Sequence, residues 1–175
     1  MAERSDRFEA LALPHLNAAY NLARWLVRND HDAQDVVQEA YLRALRFFDG
    51  FRGGDARPWL LSIVRNTCYT WLKKNRRAED HFQLDEERDG HPDDSLYHRA
   101  EDDPEKLLLQ KVDRKRLNDA LEQLPPVFRE VLILRELEEL SYGEISEIVA
   151  IPIGTVMSRL ARARDKLRAA LKEAS

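Results

Sequence analysis

The chain has 175 residues, of which 43% are hydrophobic and 34% charged, with a formal net charge of −4. That length suits one domain or two small ones with packed cores, and the high charged fraction excludes a membrane-embedded class. No run is apolar and long enough to span a bilayer or to form a secretory leader, which predicts a cytoplasmic protein without membrane insertion. Cys68 is the single cysteine, so an intrachain disulfide and a cysteine zinc cluster are both excluded.

The net charge hides an uneven distribution. Between Glu79 and Glu105 fall 12 of the 32 acidic residues and 2 of the 28 basic ones, which leaves 20 acids against 26 bases elsewhere, or +6. A basic body with an acidic insert suits a polyanionic partner, although the average alone argues against one.

In chain order, Phe8 and Leu11, then Leu16, Tyr20, Ala23 and Val27, have helical spacing interrupted at Pro14, which suits the first turn of a new helix. They predict a short helix and a longer one ending near Asn29. Asp32 is the expected cap of the next helix, with Asp35 in its first turn. Its apolar stripe is Val37, Ala40, Tyr41, Ala44, Leu45 and Phe48, and the opposite face carries Asp35, Gln38, Glu39, Leu42 and Arg43. Such a polar face is ordinarily just solvated.

Glycines 50, 53 and 54 mark a loop, and a further helix is predicted from Pro58 to about Arg77, with Trp59, Ile63, Thr67 and Trp71 as its core side. Ala56 to Ala78 contains no acid, and Arg65, Tyr69, Lys73 and Arg76 make a basic stripe holding one aromatic. That combination suits a nucleic-acid strand with a stacked base, though a merely basic surface helix gives the same pattern. On this helix Cys68 reads as a buried thiol. Residues 79–105 have no sustained apolar period and read as a flexible acidic linker. His81, His91 and His98 lie there among carboxylates, but their irregular spacing favours solvated histidines over a metal site.

Past the linker, Leu107, Leu108, Val112, Leu117, Ala120, Leu121 and Leu124 predict a helix that stops at Pro125-Pro126, and Val127, Phe128, Val131, Leu132 and Leu134 predict the next. Ser141 and Glu144 form a capping-box pattern ahead of Ile145, Ile148 and Val149. A break at Ala150-Ile151-Pro152 precedes a long helix with Val156, Leu160, Ala163, Leu167 and Leu171 inward. Its other faces carry Arg159, Arg162, Arg164, Lys166, Arg168 and Lys172. Two helices, a tight turn and a basic second helix match a helix-turn-helix that reads a major groove. An ordinary helical hairpin with a solvated basic face would share the pattern. On the long helix Met157, Ser158, Ala161 and Arg162 are expected to face outward. Of these only Arg162 can contact a guanine edge bidentately, while Arg159, Arg164 and Lys166 suit phosphates.

Gly154-Thr155-Val156, Ser158-Arg159-Leu160 and Arg162-Ala163-Arg164, in a run starting at Leu124-Pro125, resemble the C-terminal domain of an extracytoplasmic-function (ECF) sigma factor of bacterial RNA polymerase. DAQDVVQEAYLRAL and FRGGDARPWLLSIVRNTCYTWLKKNRR resemble, in the same family, the segment that docks on the polymerase clamp and the loop and helix that open the promoter −10 element. The resemblance implies an all-α protein of two small helical domains: residues 1–78 binding core polymerase and the −10 element, an acidic linker at 79–105, and residues 106–175 binding the −35 element. It further implies that Asp35, Gln38, Glu39 and Leu42 meet the clamp of the largest polymerase subunit. Phe51, Arg65, Asn66, Tyr69, Lys73 and Arg76 would bind −10 DNA, with Phe51 and Asn66 at a flipped base. Thr155, Met157, Ser158, Arg159, Ala161, Arg162 and Lys166 would face the −35 element. Ala150 stands where the family carries a turn glycine, and since a left-handed backbone costs a side-chain-bearing residue about 1–2 kcal/mol, a looser turn is expected.

The implied function is promoter-specific initiation, in the manner of a stress-response regulator held in check by an anti-sigma factor. No catalytic constellation, cofactor motif, metal cluster or small-molecule substrate site is apparent. The alternatives are an operator-binding helix-turn-helix regulator acting alone, a pure interaction protein and, remotely, a hydrolase. Association with core polymerase separates them, because only a sigma factor requires it.

Overall fold

A computed structural model describes residues 2–75 and 114–173, which build two compact units. Apart from turns and short loops, the described residues are helical. The expected linker at 79–105, with His81, His91 and His98, lies outside them. So do Arg76, Leu107, Leu108 and Val112.

The N-terminal unit contains α1 (Ala2–Ala12), α2 (Leu16–Val27), α3 (Asp30–Arg46) and α4 (Ala56–Asn75). Pro14 sits in a 3-10 turn, Leu13–His15, between α1 and α2, as its fixed φ and missing N–H favour. The inward face of α2 is Ala19, Leu22, Ala23 and Leu26, all 0% exposed, while Leu16, expected inside, is 41% exposed. Arg28 ends α2 in the left-handed conformation, and Asn29 rather than Asp32 caps α3: its side chain accepts a hydrogen bond from the Asp32 N–H at 3.0 Å. An extended backbone at Asn29 allows that geometry, whereas Asp32 is already helical.

On α4 the buried face differs from the expected one. Leu60, Leu61, Val64, Cys68 and Leu72 are buried with Thr67, while Trp59, Ile63 and Trp71 are only half-buried. The reason is that α2 and α3 both pack on α4 and cover its aliphatic side. Trp59 and Ile63 instead join a satellite cluster around Phe8, Phe48 and Leu60.

The C-terminal unit holds α5 (Arg114–Glu122), α6 (Pro126–Leu132), α7 (Tyr142–Val149) and α8 (Ile153–Glu173). Between α6 and α7 the chain makes a π-helical turn, Ile133–Leu137, and Glu139 adopts φ 54°; neither feature is foreshadowed by hydrophobic spacing. The capping box is formed in full: the Ser141 N–H donates to Glu144 Oε1 at 3.0 Å and the Glu144 N–H to Ser141 Oγ at 3.1 Å. Ile145, Ile148 and Val149 are buried as expected, and so are Val156, Leu160, Ala163, Leu167 and Leu171 of α8. The turn between α7 and α8 is not loosened. Ala150 takes the left-handed conformation, φ 60°. The Ser146 hydroxyl donates to the Ile151 carbonyl across the turn, and the Ile151 N–H returns a long bond to the Ser146 carbonyl at 3.3 Å. Those contacts offset the local strain that an alanine meets there.

Candidate functional site

Three surfaces collect the residues that the sequence singles out. The first is the outer face of α3. Its inner positions Ala33, Val36, Val37, Ala40 and Ala44 are buried, which leaves Asp35, Gln38, Glu39 and Leu42 together on the exposed side. Leu42 is 59% exposed. Glu39 pairs with Arg43 at 2.8 Å, and His31 lies 3.9 Å from Asp35. Exposed pairs of this kind contribute little to stability, so the face can be altered at small cost to the fold. Gln38 and Leu42 also border an open groove of about 670 Å³ with Leu13, Leu16, Val37 and Tyr41. At its floor the Tyr41 hydroxyl donates to the Ala12 carbonyl at 2.8 Å, and burial pushes the Tyr41 pKa up to about 12. The ring therefore acts as a neutral tether between α1 and α3.

The second surface runs along α4 and the loop before it. Phe51 packs on Trp59, centroids 4.9 Å apart, and lies parallel to Phe48 at 6.3 Å. Asn66 is exposed and sits two turns beyond Trp59, on the same helix face but roughly 10 Å along the axis by the rise per residue. Phe51 and Asn66 thus share a face without being neighbours. The cavity that Phe51 borders, about 540 Å³, is lined instead by Arg7, Leu11, Phe48 and Asp49. Further along α4, the Arg65 guanidinium stacks over the Tyr69 ring at 4.3 Å. Lys73 is exposed. Arg65 and Tyr69 are therefore one stacked unit rather than two separate contacts.

The third surface is α8. Thr155, Met157, Ala161, Arg162 and Lys166 are half-buried and reach the surface in part. Three expectations need correction. Ser158 does not project into solvent: it is 4% exposed, and its hydroxyl folds back to donate to the Thr155 carbonyl at 3.1 Å. Arg159 is 8% exposed and its Nη1 is buried, so the guanidinium is taken out of water along with the stem. Arg164 is likewise structural and not a phosphate contact, being 7% exposed in an ion pair with Glu136 at 2.8 Å. Arg162 and Lys166, by contrast, both lie over the ring of Phe128.

Residues that spacing alone missed are Glu136, Phe128 and Arg135, whose guanidinium sits over Tyr142 at 4.5 Å while its Nη1 donates to the Leu140 carbonyl at 2.9 Å. The alternation of charge and apolar residue at Arg135-Glu136-Leu137 carried no period to interpret, since it falls in the π-helical turn. Among the described residues no group of three or more His, Cys, Asp or Glu comes together to hold a metal, and no helix is long and apolar enough to cross a membrane.

Comparison with known proteins is consistent along the chain. Residues 11–78 match the family model for Sigma-70 region 2, and residues 114–167 match that for Sigma-70, region 4. The RNA polymerase sigma-H factor of Pseudomonas aeruginosa is 34% identical over 174 residues, covering 97% of this chain and 90% of the relative. The ECF RNA polymerase sigma-E factor of Haemophilus influenzae is 37% identical over 148 residues, 83% of this chain and 77% of the relative. Among solved structures, the sigma factor RpoE in complex with the anti-sigma factor NepR from Bartonella quintana superposes with a TM-score of 0.68 at 26% identity, covering 95% of this chain and 97% of that one.

Proposed function

The chain belongs to the ECF sigma factors of bacterial RNA polymerase, and from that premise we propose how its surfaces divide the work of initiation. As a sigma factor it directs core polymerase to promoters and is an initiation factor, not an enzyme. Residues 1–78 engage core polymerase and the −10 element, 106–175 engage the −35 element, and 79–105 connect them. The work is done in the cytoplasm.

The observation that carries this division is α3, whose inner face is buried while Asp35, Gln38, Glu39 and Leu42 stand exposed beside a groove. Carboxylates, an amide and one leucine make a mixed surface suited to a helical, partly basic partner, here the polymerase clamp. Arg65, Asn66, Tyr69 and Lys73 offer a basic strip for the −10 strand, which the sequence extends with Arg76, and the Phe51 ring beside Trp59 offers a stacking platform. On α8, Arg162 is the residue that reads a base edge, and Lys166 holds phosphate. The relative from Bartonella quintana was captured with an anti-sigma factor. We infer the same class of partner for this chain, covering surfaces that polymerase would otherwise occupy.

The test is competition for core polymerase between the wild type and a variant with Asp35, Gln38 and Glu39 all changed to alanine. Binding should fall at least tenfold while the helical circular-dichroism signal is kept. Equal competition by the variant would show that α3 is not the docking face.

A further inference from the structure

Two cations one turn apart on α8 converge on a single ring. The Arg162 guanidinium carbon lies 5.3 Å from the centroid of Phe128, and Lys166 Nζ lies 5.2 Å from it. Like charges at i and i+4 ordinarily repel along a helix face. The electron-rich face of an aromatic ring attracts each of them and so offsets that repulsion. Phe128 is 2% exposed on α6, the helix that packs along α8, so the ring is anchored in the core while two basic side chains lie over it. A leucine could fill the same apolar position, but it has no face that attracts a cation.

We propose that Phe128 is a positioning residue for promoter reading: its ring holds Arg162 and Lys166 in place before DNA arrives. The proposal rests on the reading that Arg162 contacts a base edge. An arginine already fixed on a ring loses less rotamer freedom when its planar fork meets a guanine. A lysine fixed one turn away keeps the neighbouring positive charge aimed at a phosphate. Phe128 itself touches no DNA.

The test uses the full chain with core polymerase and a promoter library carrying −35 point substitutions. Phe128→Leu keeps an apolar side chain and removes the ring, so preference at the base pair read by Arg162 should fall about two- to fivefold. Phe128→Tyr keeps the ring and should retain the preference. In an Arg162→Ala background, Phe128→Leu should add no further loss. Unchanged preference in folded Phe128→Leu, or an equal loss in both backgrounds, overturns the proposal. Should Phe128→Leu fail to fold, the Arg162 δ-methylene protons of the free wild-type protein decide the matter: a ring-current shift upfield is expected, and its absence is equally fatal. Unchanged preference in Arg162→Ala alone would instead overturn the base-reading role on which the proposal rests.

Discussion

In the N-terminal unit the residues taken out of water are almost all Ala, Leu, Val, Phe and Cys, with Thr67 the one polar member among the described residues, whereas the C-terminal unit takes Arg129, Glu130, Ser158, Arg159 and Arg164 to 8% exposure or less. Both units are small helical bundles, so helix packing as such does not demand the difference. In the first, Thr67 satisfies itself within its own helix, donating to the Ile63 carbonyl at 2.7 Å, and the described charged groups of α3 and α4 stay outside the buried core. In the second, charge is part of the framework. Arg129 donates to the Glu122 carbonyl at 3.2 Å, tying α6 to the end of α5, and Arg164 of α8 pairs with Glu136 in the π-helical turn. The lesson is that basic residues on a DNA-reading helix cannot be summed as DNA contacts, because some of them hold the helix in place.

The comparison can be broken most severely at Glu136. Glu136→Ala deprives a buried guanidinium of its carboxylate and should destabilise the C-terminal unit by about 3–5 kcal/mol. Trp25, Trp59 and Trp71 all lie in the N-terminal unit, so tryptophan fluorescence reports that unit and circular dichroism reports both. The dichroism melt should acquire an early phase while the fluorescence midpoint stays put. A fluorescence midpoint that falls in step would mean that the two units do not differ in the way described.

The matching lesion in hydrocarbon is Leu61→Ala. Its site is 0% exposed at the centre of the α4 face, and the expected loss is about 2–5 kcal/mol from lost transfer energy and a residual cavity. Here the fluorescence midpoint should move. No movement would place the core of the N-terminal unit elsewhere.

A smaller effect separates Arg162 from Lys166 on α8. Arg162→Ala should leave stability nearly unchanged and remove about 1–3 kcal/mol of discrimination at one −35 base pair. Lys166→Ala should weaken all promoters alike and flatten the salt dependence. Transcription from −35 variants at two salt concentrations distinguishes a specific from a uniform loss, and a uniform loss from both variants would remove Arg162 from the base-reading role.

The smallest change concerns the turn. Ala150→Gly relieves a left-handed alanine but adds chain entropy to the unfolded state, so the net gain should be up to about 1 kcal/mol. It should raise the dichroism midpoint slightly and leave the tryptophan fluorescence midpoint unchanged. A destabilised variant would mean that the alanine methyl group contributes packing that outweighs its backbone strain.

How much of this was legible in the sequence depends on whether the deciding interaction is local. The Ser141–Glu144 capping box is set by residues three positions apart and could be read from spacing, whereas the left-handed Ala150 was expected to loosen its turn and does not, because Ser146 and Ile151 bond across it. The outward face of α3 was legible too, because the opposite side of the helix is uniformly apolar. Spacing failed where more than one neighbour competes for a helix. The aliphatic and aromatic sides of α4 are both apolar, and only the arrival of α2 and α3 on one of them decides that Leu61 is core and Trp59 belongs to a satellite cluster. On α3, Asn29 and Asp32 are equally good caps by type, and the extended backbone at Asn29 makes the choice.

The sequence by itself determined that this protein is helical, that its basic and acidic stretches are segregated, and that it carries an ECF sigma pattern in two separate segments, because those properties rest on periodicity and short motifs. Only the tertiary structure decided which arginines of α8 face outward. Arg159, Arg162 and Arg164 are alike in type and lie within two turns of one another. Their fates diverge because Glu136 and Phe128 arrive from distant points of the chain, one to pair with Arg164 and the other to lie beneath Arg162. Charge fixes what a side chain can bind, but the packing of α6 and the π-helical turn fixes what it meets first.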